Sequence, residues 1–206
     1  MRRQEFSMEE EQELTAFLQE QTFGFLGTVT PDGEPRVTPL NFVYDQGIFY
    51  FHGSLAGEKM KNIRSHDRVS FTVAEEFSLI PSYYSDPEMA CPATSYFKSV
   101  AAVGTARPVQ DAAEKAHALG LFMAKLQPEG GYAPIDASDS RYAPRLKSVS
   151  VVAIVPERIS AKFKFGQNLK TEAREQIASQ LEERARGKDM ETARLMRQFC
   201  PFHAKE

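Results

Sequence analysis

The sequence of 206 residues contains no tryptophan and only two cysteines, Cys91 and Cys200. Two cysteines are too few for a disulfide framework, so we expect a reducing compartment, with the cytoplasm as the default location. No apolar stretch follows the basic residues Arg2 and Arg3, which argues against a secretory signal peptide. No apolar run has the length of a membrane span, so we expect no membrane partner.

The sequence also has no excess of positive charge. It contains 25 Lys and Arg and 28 Asp and Glu, which gives a net charge of −3. No basic stripe or recognition-helix pattern occurs, and we expect no nucleic-acid partner. The sequence also lacks the nucleophile-elbow, zinc-protease and P-loop motifs. The histidines at positions 52, 66, 117 and 203 have no ligand spacing, so no metal site is predicted. Any chemistry is therefore expected to come from a bound organic cofactor.

The chain does contain enough apolar material for a sizeable core, with 42% apolar residues, 15 Phe and 7 Tyr. Strand-like runs follow one another between turn signals such as Pro31-Asp32-Gly33 and Asp45-Gln46-Gly47. The predicted strands cover residues 23–30, 36–44, 48–52, 68–74, 97–109 and 148–155, the last extended by 158–163. The first three in hairpin succession indicate an antiparallel meander. We predict an α+β, mainly β fold: a small closed barrel of six or seven antiparallel strands.

Helices are predicted before, between and after these strands. Their ranges are 8–20, 55–66, 111–126, 171–186 and 189–199. Ser7 and Glu10 form a capping-box pattern for the first helix, and Asp111 is the predicted N-cap of the third. Gly104 predicts a bulge or bend in its strand, and residues 76–96 are predicted as a long loop.

The predicted elements divide the chain into two parts. Residues 1–165 carry the barrel, and residues 166–206 are a helical C-terminal extension rich in charge. We interpret the extension as an appendage that supports a dimer, with solvated charges.

One segment has the features of an anion site. Phe51, His52, Gly53 and Ser54 end an apolar strand and open a helix that carries Lys59. A helix N-terminus offers free amides and a partial positive charge, the serine adds a hydroxyl, and the lysine adds a full charge. Together they suit a phosphate dianion. An N-cap serine followed by a solvated lysine has the same pattern, and the local pattern alone favours this simpler explanation.

The order and spacing of several short segments resemble a known family. The segments are GFLGTV at 24–29, DGEP at 32–35, VTPLNFVY at 37–44, IFYFHG at 48–53, GEKM at 57–60 and NIR at 62–64. They resemble the pyridoxamine 5'-phosphate oxidase-like split-barrel flavoproteins, and within them the nitroimidazole-resistance (Nim) branch. The resemblance covers residues 8 to about 110, with a less specific match in the final strand.

The resemblance implies a split β-barrel and a homodimer with two FMN sites, each built from both subunits. The residues it implies for cofactor binding form four groups along the chain. They are Pro39, Leu40, Asn41 and Phe42 beside the isoalloxazine ring; Phe51, His52 and Gly53 beside the ribityl chain; Lys59 at the phosphate; and Lys98, Ser99 and Val100 from the other subunit. Ser54 is added to the cofactor-binding residues from the local anion-site pattern. No catalytic residue is implied.

The sequence also departs from the oxidases that name the family. They carry a Ser-Arg-Lys run at the phosphate, where this chain has Gly57-Glu58-Lys59 and so lacks a bidentate donor. Their basic C-terminal substrate motif has no match here. We therefore expect FMN-dependent reduction of a small, electron-poor organic molecule with NAD(P)H as the electron source. Lys98 or Lys164 would attract an anionic substrate.

Two alternatives stay open. Residues 160–168 are similar to a segment of FMN-binding negative transcriptional regulators, which favours a non-catalytic flavin sensor or regulator. The Cys-Pro pairs at 91–92 and 200–201, together with His203, would offer ligands in a haem-binding or haem-degrading protein. Loop cysteines before turn prolines are the more ordinary explanation of these pairs.

Overall fold

The structure of the protein is a computed structural model, in which residues 4–199 are described. This part of the chain contains seven strands and six α-helices, with 3-10 turns at Gln4–Phe6 and Ser82–Tyr84. The strands are β1 (Phe23–Val29), β2 (Pro35–Asn41), β3 (Val43–Asp45), β4 (Ile48–Gly53), β5 (Arg68–Ile80), β6 (Thr94–Pro108) and β7 (Ser150–Lys164). The helices are α1 (Glu11–Glu20), α2 (Glu58–Ser65), α3 (Ala112–Leu126), α4 (Ala143–Ser148), α5 (Thr171–Arg184) and α6 (Asp189–Gln198).

The strands form one antiparallel sheet in the order β2-β1-β5-β6-β7-β4-β3. β1 pairs with β2 along its whole length, with Phe23 opposite Asn41 and Val29 opposite Pro35. The two outermost strands, β2 and β3, are separated in sequence by Phe42 alone. The opposite edges of the sheet are thus joined by one residue, which requires the sheet to curve back toward itself. The predicted mainly β, antiparallel fold is confirmed.

Contacts divide the chain into two compact units, and β5, β6 and β7 contribute to both. The large unit comprises residues 11–73 and 101–159. Its interior contains three phenylalanine rings in mutual contact, Phe42, Phe49 and Phe71, whose centroids are 5.1–5.9 Å apart. These rings come from the connection between β2 and β3, from β4 and from β5, so that burial of aromatic surface holds the strands in place.

The small unit comprises the described residues of 1–10, 74–100 and 160–206. Its aromatic centre is Phe165, whose ring meets Phe77 at 5.2 Å and Tyr96 at 6.3 Å. Helices α5 and α6 pack together and bury one apolar face each, which includes Leu181 and Leu195. The predicted division at residue 165 stays a prediction.

Two strands are longer than the sequence predicts. β5 continues beyond residue 74 to Ile80, and β6 begins at Thr94, so the predicted loop 76–96 shortens to residues 81–93. β7 also runs unbroken through Pro156. A Cβ on Gly104 of β6 would lie 2.1 Å from the carbonyl oxygen of Val155. Gly104 therefore marks a close approach of two backbones within a continuous strand.

The helix boundaries agree with the predictions except at two starts, since α2 begins at Glu58 instead of residue 55 and α1 begins at Glu11 instead of residue 8. Asp111 caps α3 as predicted, since its carboxylate accepts from the amide of Glu114 at 2.7 Å. The capping box at Ser7 is wrong, because α1 begins only at Glu11 and Ser7 forms an antiparallel β-bridge with Lys162. The extended pairing satisfies backbone groups that a helix start would otherwise occupy.

Some predicted features lie elsewhere or outside the described residues. Helix α4 occupies the end of the predicted loop 127–146. Cys200, Pro201 and His203 of the haem alternative lie outside the described residues. Among the helices of the described range, none is long and apolar enough to cross a membrane.

Candidate functional site

The connection between β4 and α2 forms the base of the candidate site. Four residues separate Gly53 from Glu58, and the hydroxyl of Ser54 accepts from the amide of Ala56 at 3.2 Å. Gly57 precedes the helix with a φ of 138°, a conformation that residues with a Cβ rarely adopt. No side chain caps the helix. Its first amides are therefore left to bind an anion or water.

Lys59 lies directly against the end of β4. A Cβ placed on Gly53 would be only 3.1 Å from the lysine Nζ, so the ammonium group rests over the glycine backbone. Glycine at position 53 provides the space for this approach. The structure thus brings together His52, Gly53, Ser54 and Lys59, which the sequence had placed in one anion site.

A second cation reaches the same connection from the far end of α2. The guanidinium of Arg64 donates to the carbonyl oxygen of Leu55 at 2.9 Å. Arg64 is therefore a functional candidate for which the sequence analysis proposed no role. Its only signal in the sequence is its place in the motif that ends α2.

The carboxylate of Glu58 at the start of α2 would oppose an anion, but it is paired. Nε of Arg36 donates to Glu58 at 3.0 Å, and the same guanidinium meets Glu34 at 2.8 Å. The pair leaves Lys59 and Arg64 as the cations that face the connection. The local charge therefore suits a phosphate group.

His52 lies beside the cationic group. Its ring contacts Phe122 edge-on with the centroids 4.8 Å apart. Burial against this surface lowers the pKa of His52, and the positive charge of Lys59 lowers it further. The imidazole is consequently neutral at pH 7, with one nitrogen able to donate a hydrogen bond and the other able to accept one.

The residues expected beside a flavin ring lie at an edge of the sheet. Pro39 and Asn41 are exposed on β2, Leu40 is half-buried, and Phe42 is buried. The side-chain amide of Asn41 donates to the carbonyl of Thr22 at 2.9 Å. Phe42 is buried as a whole residue, and its amide donates to the carbonyl of Thr22 at 3.3 Å, so its ring lies beneath this edge and not on it.

The same restriction applies to Phe51 on β4. The residue as a whole is 1% exposed and belongs to the core of the large unit. Phe51 is therefore closed to a ligand here, whereas the neighbouring His52 and Gly53 are accessible.

Lys125 supports the connection between β2 and β3 from α3. Its ammonium group donates to the carbonyls of Leu18, Gln21 and Phe42 and lies 4.8 Å from the centroid of the Phe42 ring. Burial lowers the pKa of Lys125 to about 8. Sequence reasoning missed this positioning residue, whose signal was a lysine directly after the apolar run 118–124 of α3.

The three β6 residues predicted to contact flavin from the other subunit face in alternate directions. Lys98 is 7% exposed, with its Nζ 5.0 Å from the ring of Phe163 and 5.4 Å from that of Phe77. Val100 is also buried, while Ser99 between them is partly accessible. The role of the three residues in flavin binding stays a prediction.

One face of the large unit exposes apolar side chains. Phe23 and Phe25 on β1 are about half exposed, and their rings meet edge-on at 6.3 Å. Val37 on the neighbouring strand β2 is 69% exposed, and Pro39 stands opposite Phe25 in the ladder. A contiguous apolar surface on an edge pair of strands is typical of a protein interface.

The antiparallel sheet and its flanking helices define the class of the molecule as a mainly β split barrel. The family model described as pyridoxamine 5'-phosphate oxidase matches residues 10–163. The chain therefore belongs to the pyridoxamine 5'-phosphate oxidase family, as its sequence motifs predicted. A search of curated proteins finds no match.

Solved structures share the fold at low sequence identity. A candidate 5-nitroimidazole antibiotic resistance protein from Bacteroides thetaiotaomicron is 23% identical with a TM-score of 0.59, over 76% of this chain and 85% of that one. The flavocytochrome Anf3 from Azotobacter vinelandii is 24% identical with a TM-score of 0.63, over 78% and 70%. The FAD and haem binding protein from Mycobacterium smegmatis is 17% identical with a TM-score of 0.60, over 78% and 74%.

Proposed function

We propose that this chain binds FMN at the connection between β4 and α2. We propose further that, as a homodimer, it uses the flavin to reduce a small, electron-poor organic molecule with NAD(P)H. The observation that carries the proposal is the position of Lys59, whose Nζ would lie 3.1 Å from a Cβ on Gly53, beside a helix start without a side-chain cap. Family membership supports the flavin, and two of the solved relatives are named as a flavocytochrome and an FAD-binding protein.

The phosphate of FMN fits this connection. Lys59 would provide a charged hydrogen bond, the hydroxyl of Ser54 a neutral one, and the first amides of α2 the partial positive charge of a helix start. Arg64 would hold the connecting loop through Leu55 and add charge. A terminal monophosphate needs only one such cluster, which favours FMN as the flavin.

The edge strand β2 would hold the isoalloxazine ring. Pro39 and Asn41 present accessible groups there, and Leu40 is half-buried. Lys125 would fix the end of this strand through the Phe42 carbonyl. Bound FMN would supply hydride or electron transfer, while the neutral His52 is placed to hold a proton or to orient a polar substrate group.

Replacing Lys59 by alanine tests the phosphate assignment. Loss of a charged hydrogen bond costs about 1.5–3 kcal/mol, so we expect FMN to bind about 10- to 150-fold more weakly. Quenching of flavin fluorescence during titration of the apoprotein measures the affinity. Lys61→Ala is the matched control. Lys61 lies exposed on the same helix, and its replacement removes the same charge from α2. Equal affinity for FMN in the two variants would contradict the assignment.

The apolar face of β1 and β2 is proposed as the contact with a second copy of the chain. Phe25→Glu places a charge on this face without touching the core, since Phe25 is 43% exposed. We expect the variant to be monomeric by light scattering at micromolar concentration and to retain less flavin. Met190→Glu is the control, because Met190 of α6 is also an exposed apolar residue, with 56% of its surface accessible. A wild-type monomer with bound flavin would overturn the shared site.

Turnover separates an oxidoreductase from a flavin sensor. The absorption spectrum of the purified protein with added FMN is recorded under anaerobic conditions, and NADPH or NADH is then added. Bleaching of the flavin bands, followed by reoxidation with a nitroaromatic or quinone acceptor, is the expected result. Bound flavin that neither nucleotide reduces would instead favour the sensor, and mass determination of the released cofactor distinguishes FMN from FAD.

A further inference from the structure

The small unit contains a cavity for which the proposed flavin chemistry has no use. Its volume is about 480 Å³, which lies within the range of small-molecule sites. The described residues that line it come from the N-terminal segment, from β5, β6 and β7, from the loops that follow β5 and β7, and from α5. All of them belong to the small unit. We call it the tyrosine cavity after Tyr96 of β6, a buried residue of its wall.

The inner wall of the tyrosine cavity is apolar. Phe6, Ile80 and Ile177 line it and are each 2–3% exposed. Phe6 is held there because the N-terminal segment pairs with β7, where the amide of Met8 donates to the carbonyl of Ala161 at 3.1 Å. Such a wall favours the apolar body of an organic ligand over a hydrated ion.

One polar group on this wall is left without a partner. Tyr96 is 2% exposed, and its hydroxyl forms no hydrogen bond with any residue of the described range. The hydroxyl oxygen is not fully enclosed, and Tyr96 lines the cavity, so the hydroxyl can be reached from inside the cavity. A nearly buried hydroxyl without a partner costs free energy, which a ligand atom that accepts its hydrogen would recover.

The loop after β7 fixes the position of this hydroxyl. A Cβ on Gly166 would lie 2.7 Å from the Tyr96 oxygen and 3.2 Å from Cδ1 of Leu169, so glycine allows the hydroxyl to approach the loop beside a lining residue. The side chain of Gln167 holds the loop, since it accepts from the amide of Phe165 at 2.7 Å. The ring of Phe165 meets that of Tyr96 with the centroids 6.3 Å apart. The tyrosine is therefore positioned by packing alone.

The surroundings of the hydroxyl disfavour negative charge. Burial raises the pKa of Tyr96 to about 12, although the positive charge of Arg174 acts in the opposite direction. The hydroxyl therefore keeps its hydrogen at neutral pH and can donate it. The same burial would penalise a carboxylate placed beside the hydroxyl.

The two lysines that line the cavity already have partners within the protein. The Nζ of Lys162 lies 5.4 Å from the centroid of the Phe6 ring and 5.2 Å from that of the Phe97 ring. Lys164 donates to the hydroxyl of Thr94. Since both ammonium groups are engaged, a ligand need not bring a negative charge to the cavity.

We propose that the tyrosine cavity binds an uncharged carbonyl compound with an apolar body, of the aromatic-ketone class. The carbonyl oxygen would accept from the Tyr96 hydroxyl, and the body would lie against Phe6, Ile80 and Ile177. A hydrocarbon would leave the hydroxyl without a partner, and a carboxylate would bring a charge into apolar surroundings. This binding does not depend on the proposed flavin function.

The test compares three naphthalene derivatives by equilibrium dialysis against the full chain, with its flavin content recorded. They are 2-acetonaphthone, 2-isopropylnaphthalene and naphthalene-2-carboxylate. We expect the ketone to bind more tightly than the carboxylate. Tyr96→Phe removes only the hydroxyl, so it should weaken the ketone about 2- to 12-fold, the effect of one hydrogen bond, without weakening the hydrocarbon.

Tyr83→Phe is the matched control, because Tyr83 is an exposed tyrosine of the same unit that lies outside the lining. It should leave the affinity for the ketone unchanged. The proposal is overturned if the wild type does not bind the ketone or binds the carboxylate at least as tightly. It is also overturned if Tyr96→Phe changes the affinities for ketone and hydrocarbon equally.

A photoreactive ketone locates the site. Benzophenone inserts into nearby C–H bonds on irradiation, and mass spectrometry of peptides identifies where it has reacted. We expect adducts at Phe6 and within residues 80–96 and 162–177, which excess 2-acetonaphthone should suppress. Adducts confined to the large unit would place the ketone elsewhere and contradict the proposal. Tyr96→Phe should retain as much FMN as the wild type, which separates this result from any failure of the proposed flavin site.

Discussion

Replacing Asp189 by alanine is expected to destabilise the small unit by about 3 kcal/mol, the lower end of the cost of breaking a buried ion pair, because the Arg184 guanidinium left behind is 20% exposed. The Asp189 side chain is 2% exposed and accepts two hydrogen bonds from Arg184, both at 2.7 Å. It also accepts from the hydroxyl of Ser78 at 2.7 Å and from the amide of Arg186 at 3.0 Å. The substitution removes all of these acceptors together, and chemical denaturation measures the loss.

The pH dependence of stability gives an independent check on the same residue. The hydrogen bonds from Arg184 lower the pKa of Asp189 to about 2. Because the folded pKa lies below the unfolded value, the stabilisation is complete above about pH 4 and is lost as the pH falls toward 2. The wild type should therefore lose stability between these values more steeply than Asp189→Asn, which has no carboxyl group to titrate there.

A second aspartate provides the matched control. Asp139 also pairs with an arginine through two nitrogens and also accepts from a backbone amide, but its partner Arg141 is 72% exposed. Since water replaces the lost partner, Asp139→Ala should cost far less than Asp189→Ala. Equal losses in the two variants would show that burial does not decide the strength of the Asp189 cluster.

Replacing Gly104 by alanine is expected to destabilise the large unit by at least about 3 kcal/mol, at the upper end of the costs of overpacking. The new Cβ would lie 2.1 Å from the carbonyl oxygen of Val155 and 2.8 Å from the Cα of Pro156. Both atoms belong to the backbone of β7, so no side chain can rotate away. One strand must move, and the thermal midpoint of unfolding should fall by many degrees.

The control for Gly104→Ala is a second glycine-to-alanine substitution, which is expected to raise the stability of the protein. Gly120 lies within α3, and a Cβ there would meet nothing within 4 Å. Alanine at this position should stabilise the protein by about 0.5–1 kcal/mol, because glycine is a poor helix former. A thermal midpoint for Gly104→Ala equal to or above that of the wild type would contradict the close approach of β6 and β7.

Several parts of the site could be read from the sequence because they are local. Gly53, Ser54 and Lys59 lie within one short segment, where a strand end and a helix start fix their proximity. Asp111 likewise caps a helix three residues from the amide that it accepts from. The turn sequences also predicted the positions of the hairpins, because the residues that specify a turn are neighbours in the chain.

Other parts could not be read in this way. Ser7 matches a capping box, but a strand 155 positions later competes for the same backbone groups and prevails. Lys125 supports Phe42 across more than 80 residues, and its role depends on which carbonyls converge on it. Lysine is usually a surface residue, so the sequence gives no sign that Lys98 is buried. Only packing places its ammonium group close to the rings of Phe77 and Phe163.

The sequence by itself thus determined most of the strands and helices, the antiparallel order of the hairpins, the family and the connection after β4 that we propose as the phosphate site. Each of these depends on periodicity, caps and turn residues that act over a few positions. Only the tertiary structure decided the close approach at Gly104, the burial of Asp189 and the convergence of the Leu18 and Phe42 carbonyls on Lys125. These depend on which distant segments pack together, and local preferences do not specify that packing.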